Sequence, residues 1–138
     1  MQGMQRGFVM AMILAGCAAL GWTGATQEKE KGDEVSFKQD VFPIINKYCL
    51  PCHEEENFNK SELSLDNYSL LMKGGKNGAP VVEGKPDESI LIQKLSEKPP
   101  FGDTMPRGRR GSQAPPKRLT SEELKVLTTW IEQGAKDN

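Results

Sequence analysis

The chain has 138 residues, of which 27 % are charged and 36 % hydrophobic, and its net charge is −1. That length admits one domain and excludes a large enzyme. A charge so close to zero creates no whole-molecule field toward nucleic acid or any strongly charged partner, so only local patches can steer an encounter.

Residues 1–22 open with a single positive charge, Arg6, followed by the apolar run Phe8–Leu14 and then small residues. This is the layout of a secretory signal, and it is short for a transmembrane span. Within it, Leu14-Ala15-Gly16-Cys17 resembles the bacterial lipobox. The resemblance implies a lipoprotein-type signal over residues 1–16, with Cys17 acylated as the first mature residue and serving as the membrane anchor. Cleavage after Thr23-Gly24-Ala25 is the alternative, with Cys17 an incidental cysteine of the apolar segment. The lipobox is preferred because it explains the leftover thiol of an exported chain. Either cut places the protein outside the cytoplasm, in the periplasm. Residues 17–35 include the charged stretch TQEKEKGDE and read as a flexible tether, so the folded domain is expected over 36–138.

The first element is a helix whose apolar face is Phe37, Val41, Ile44, Ile45 and Tyr48. Asp40 is its expected N-cap, with Pro43 in the first turn and Phe37 in a preceding turn. The helix runs into Cys49-Leu50-Pro51-Cys52-His53, which holds the only histidine and two of the three cysteines of the chain. This C-x-x-C-H spacing lets the thiols of Cys49 and Cys52 add across the two vinyl groups of one haem, with His53 then placed to bind the iron. A thioredoxin-like pair would need a βαβ framework that the sequence does not show. A zinc site would need further Cys or His downstream, and none follows His53. A disulfide between Cys49 and Cys52 would close a very small loop and gain little.

Glu54-Glu55-Glu56 reads as a solvated face. A short helix is expected before Gly74-Gly75, capped by Asp66, and then a loop over residues 74–86 whose glycines allow backbone to pass close to a flat ligand such as a porphyrin. Asp87 caps a second helix through Leu95, ended by Pro99-Pro100. Phe101 to Leu119 is rich in glycine and proline and must be irregular. The last helix carries a capping box at Thr120 and Glu123 and an apolar stripe of Leu124, Leu127, Ile131 and Ala135. Trp130 borders that stripe, either beside the cofactor or as ordinary core.

After export two methionines remain, Met72 and Met105. Met72 lies in the apolar group Leu70-Leu71-Met72 and suits a core filler. Met105 stands in the irregular loop with no apolar periodicity to bury it, and Pro106 stiffens its approach, so it is assigned as the sixth iron ligand over Met72 or an open site. Arg107, Arg109, Arg110, Lys117 and Arg118 follow in the same loop. They form either a positive rim for an acidic partner or the haem propionates, or a solvated basic loop.

The order of these parts resembles a small class I monohaem cytochrome c, and more closely the Planctomycete-type cytochrome c domain. The resemblance runs from Phe37 and Pro43-Ile44-Ile45 through Cys49–His53, Gly74-Gly75, Gly84-Lys85-Pro86, Ser89, Leu91 and Met105-Pro106 to Leu119-Thr120, Trp130-Ile131 and Gly134-Ala135. It implies an all-α fold, a small helical domain with long irregular loops wrapped around one covalent haem c. It also implies electron transfer with redox partner proteins and no enzymatic activity of its own. A subunit admitting electrons to a larger exported oxidoreductase and a haem-based sensor are the alternatives. One departure stands out: no proline occurs between Pro51 and Pro80 to supply the carbonyl that orients the histidine in many class I members. The orienting partner of His53 is therefore left unassigned.

Overall fold

The structure, a computed structural model, describes residues 34–50, 52–57, 59–108, 111 and 113–138. The expected signal segment, Cys17 and the tether through residue 33 lie outside the described residues, as do Pro51, Arg109 and Arg110.

The first helix begins earlier than the sequence suggests. Ser36 is its N-cap, with Oγ accepting the Gln39 N–H at 3.2 Å. Asp40, the expected cap, instead accepts the Ser36 N–H at 2.8 Å, so the two residues close the helix start reciprocally. Phe37–Val41 forms one π-helical turn, in which the Val41 N–H reaches Ser36 O at 3.2 Å, and it leads directly into α1, Phe42–Tyr48. Pro43 falls in the first turn of α1, where its missing N–H has no intrahelical partner to lose. The widened turn keeps Phe37 and Val41 on the same buried face as Ile44, Ile45 and Tyr48.

Helix α2, Tyr68–Lys73, is capped by Asn67, whose Oδ1 accepts the Leu70 N–H at 3.0 Å. Asp66, the residue expected there, accepts the Glu55 N–H at 2.7 Å and so ties the chain after the C-x-x-C-H stretch to the start of α2. Gly74 ends the helix at φ +72°, a conformation that glycine reaches without steric cost.

The helix expected from Asp87 to Leu95 is broken in two. A 3₁₀ turn, Pro86–Glu88, is followed by the short α3, Ile90–Gln93. Ser89 separates them in an extended conformation, fully buried, with its hydroxyl accepting the Val82 N–H at 2.9 Å and donating to Lys85 O at 2.9 Å. A buried serine hydroxyl that serves loop backbone in this way competes with a continuous helical ladder, which periodicity cannot register.

Helix α4, Ser121–Glu132, has the expected capping box at Thr120 and Glu123. Leu127, Ile131 and Ala135 are buried as expected, but Leu124 is 37 % exposed and Trp130 takes its place in the core at 1 %. Trp130 packs against Phe37 and Tyr68 with ring centroids 5.5 and 6.4 Å away, and its indole N–H donates to Lys136 O at 2.9 Å. Trp130 is thus a core residue joining the first helix, α2 and α4. Among the described residues there are helices and no strands, and those described within 101–119 are irregular.

The two ends of the described domain clasp each other. Asn138 accepts from the Ser36 hydroxyl, Phe37 N–H and Lys38 N–H at 2.8, 2.8 and 3.1 Å. Closer to the C-x-x-C-H stretch, Glu123 of α4 accepts from Lys47 at 2.6 Å and from the Tyr48 hydroxyl at 2.7 Å. The Lys47 ammonium first, then the Thr120 N–H and the Tyr48 hydroxyl, hold the Glu123 carboxyl down to about 2 from an ordinary value of 4.5. A carboxyl depressed by folding stabilises the fold above its unfolded pKa, and that contribution is lost as pH falls through its folded pKa. The thermal midpoint is therefore expected to decline between about pH 4.5 and 2, and Glu123→Gln to flatten that part of the profile. Equal slopes in both proteins would show that the bridge between α1 and α4 carries no acid sensitivity.

Candidate functional site

The C-x-x-C-H stretch is set by the end of α1. Cys49 is the C-cap, its N–H bonded to Ile45 O at 2.8 Å, and one turn later the His53 N–H bonds to Cys49 O at 3.1 Å. Cys49 and His53 thus lie one turn apart on a chain that leaves the helix without unwinding fully. Cys49 is half-buried and Cys52 exposed, and both are free thiols. Burial, and secondarily the neighbouring Cys52, push the Cys49 thiol up to about 12, so it stays protonated at neutral pH.

His53 is gripped from a facing loop at two points. Its carbonyl accepts the Leu65 N–H at 2.8 Å, and its ring Nδ1 lies 3.1 Å from Leu63 O. A carbonyl oxygen can only accept, so the ring proton belongs on Nδ1, which leaves the Nε2 lone pair for a metal. Leu63 O is thus the orienting partner that the missing proline left unassigned. No side-chain pattern could have revealed it, because a backbone carbonyl has no residue-type signature.

The facing loop is itself pinned by the glycines after α2. Lys76 N–H donates to Ser61 O at 2.8 Å, and a Cβ on Gly75 would stand 2.3 Å from Ser61 O and 2.8 Å from Leu63 N. At Gly75 the absence of a side chain therefore admits a close approach to the chain's own backbone over residues 61–63.

Met105 is held in a separate set of contacts. Its N–H donates to Lys94 O at 2.7 Å, and Arg118 Nη1 donates to Met105 O and Pro106 O at 3.0 and 3.2 Å. The Met105-Pro106 bond is cis. The Lys94 ammonium donates to Phe101 O and lies 4.7 Å from the centre of the Phe101 ring, so one residue organises both ends of segment 101–105. Beside Met105 is a cavity of about 310 Å³, walled by Leu95, Leu119, Leu124, Arg118 and Glu97. Its position explains the exposure of Leu124, which turns toward this cavity rather than the core. Cys49, Cys52 and His53 do not line it. Met72 is half-buried against the core, as a filler would be.

The expected basic rim is divided among several tasks. Arg118 serves the Met-Pro backbone, Arg107 pairs with Asp103 at 3.0 Å, and Lys117 lies 5.8 Å from the Tyr48 ring centre. Arg109 and Arg110 are outside the described residues.

These groups fit a covalently attached haem by their donor chemistry. Two free thiols three positions apart in the sequence precede an imidazole whose Nδ1 faces a carbonyl and whose Nε2 lone pair is left for iron. Among the described residues no three His, Cys, Asp or Glu come together to hold a metal ion.

One family model matches the segment that carries these groups. Residues 49–106 match the family model of Planctomycete cytochrome C, a span that contains Cys49, Cys52, His53 and Met105. Among solved structures, Kuenenia stuttgartiensis hydrazine synthase matches at 26 % identity with a TM-score of 0.47. That match covers 73 % of this chain and 16 % of the synthase chain. No curated protein gives a significant match.

Proposed function

We propose that the protein, whose residues 49–106 match the family model of Planctomycete cytochrome C and so point to covalently bound haem c, is a one-electron carrier with a single haem and no catalytic activity of its own. Cys49 and Cys52 would hold the haem through thioether links, and His53 Nε2 and the Met105 thioether would coordinate its iron. When bound, the haem supplies a ferric/ferrous couple. Everything else is the work of the chain. Leu63 O keeps the ring proton of His53 on Nδ1 and fixes the ring plane. Lys94 and Arg118 hold the backbone of Met105 from both sides. Leu95, Leu119 and Leu124 offer apolar surface beside that methionine.

The observation that carries this reading is the coincidence, inside the matched segment, of two free thiols with a histidine whose Nδ1 faces a carbonyl. Voltammetry of the purified protein is expected to give one reversible one-electron wave, and the reduced protein is expected not to bind carbon monoxide at neutral pH. Stoichiometric carbon monoxide binding would move the protein to the class of haem sensors.

The reading extends to location. The protein is exported and held at a bacterial membrane through lipid on Cys17, and it exchanges electrons with periplasmic or membrane-bound redox proteins. Its support is the Leu14-Ala15-Gly16-Cys17 sequence and the polar stretch that follows. Mass spectrometry of the mature N-terminus is expected to find acylated Cys17. A mature chain starting at Thr26 would show that the signal is cut in the ordinary way and that no lipid is attached.

A further inference from the structure

The Leu63 carbonyl that faces His53 is shared with a second donor. Asn59 Nδ2 donates to the same oxygen at 3.2 Å, while Asn59 Oδ1 accepts the Leu63 N–H at 3.1 Å and the Ser61 hydroxyl at 2.6 Å. This pattern fixes the carboxamide orientation, since the flipped amide would set NH₂ against N–H and oxygen against oxygen. Both backbone polar groups of Leu63 are therefore closed on one side chain. The turn that brings Asn59 there is tight, with the Glu62 N–H donating to Asn59 O at 3.1 Å and Glu62 held at φ +52°.

We propose that Asn59 is a positioning residue for His53: it aims the Leu63 carbonyl at the ring Nδ1–H and so sets how electron-rich that hydrogen bond makes the imidazole. The proposal rests on His53 being the iron ligand. A carbonyl that accepts from Nδ1–H raises the donor strength of Nε2, and stronger donation favours ferric iron. The direction of the carbonyl sets that contribution, and Asn59 holds the direction from both ends of the peptide unit. Once released, the Leu63 carbonyl can turn to solvent. The ring then loses its fixed acceptor, donates less to iron, and the reduction potential rises.

The test uses the haem-loaded protein and three variants. Exchange of the His53 ring N–H with solvent is read by NMR in the ferrous state, the potential by redox titration, and stability by thermal unfolding. Asn59→Ala is expected to speed ring N–H exchange about tenfold, as loss of one ordinary hydrogen bond does, and to raise the potential. Asn59→Asp keeps the acceptor for Leu63 N–H and Ser61 but opposes an oxygen to Leu63 O. It is expected to speed exchange likewise, although the loop remains closed; its potential is left aside because the added charge acts on it directly. Ser61→Ala, which removes one bond to Asn59 without touching Leu63, is expected to lower the thermal midpoint while leaving exchange and potential at wild-type values.

Two results overturn the proposal alone: unchanged exchange and potential in Asn59→Ala, or wild-type exchange restored by Asn59→Asp. Either would make Asn59 a loop-closing residue only. A wild-type protein without haem would overturn the electron-carrier reading, and this proposal with it, before any variant is compared.

Discussion

The Cys49→Ala/Cys52→Ala double variant is expected to lose its haem completely on a denaturing gel stained for haem, where the wild-type band stays stained. The difference follows from bond type. In the proposed attachment two thioether links would survive denaturant, whereas coordination by His53 and Met105 and packing against apolar side chains would last only as long as the fold. Each single cysteine variant retains one link and should keep haem with lower yield. His53→Ala is expected to be comparably severe for assembly, because no second histidine exists in the chain to take the proximal position. Covalent haem persisting in the double variant would place attachment elsewhere and remove the chemical basis of the C-x-x-C-H reading.

The second large effect is expected at the sixth ligand. Met105→Ala should abolish the weak near-infrared sulfur-to-iron band, lower the reduction potential and turn carbon monoxide binding from none to stoichiometric. Met72→Ala should leave all three close to wild type, because Met72 packs half-buried against the core. Truncating Met72, which is partly buried, removes packing against the core and is expected to cost about 0.5–3 kcal/mol of stability. The two variants thus separate by kind of effect, one spectroscopic and one on stability. The reverse pattern would move the axial role to Met72 and leave the Met-Pro loop, with its bonds to Lys94 and Arg118, as a surface feature.

Much of this was legible in the sequence because it is carried by residue type and period. The apolar face Phe37 to Tyr48, the capping box at Thr120 and Glu123, and the irregular run through Met105 all stand where spacing puts them. The failures have two causes, side chains that bond to nearby backbone and a helix that faces both the core and a cavity. Ser89 looked like a helical residue and is buried against Val82 and Lys85, which splits the helix. Asp40 and Asp66 looked like caps, but Ser36 and Asn67 take that role, each within one or a few residues and each equally able to accept a backbone N–H. Leu124 and Trp130 exchanged burial because the helix faces both the core and the cavity beside Met105, and a single stripe cannot describe two faces.

The site was legible to the same extent. Cys49, Cys52 and His53 announce themselves by spacing, and the family match over 49–106 includes them. The partner of His53 did not, since it is the carbonyl of a leucine. The available hint was the Asn59–Ser61 pair, a combination that favours tight turns through side-chain bonds to nearby backbone. Arg118 was visible as one of five cations, but its bonds to Met105 O and Pro106 O could come only from the fold.

The most direct measurement of the central claim is the intact mass of the wild-type protein, produced with a c-type haem maturation system and analysed under denaturing conditions. The expected result is a mature chain heavier by one haem, with a c-type visible spectrum before denaturation. A chain of unmodified polypeptide mass, carrying no haem or only haem that leaves in denaturant, would contradict it.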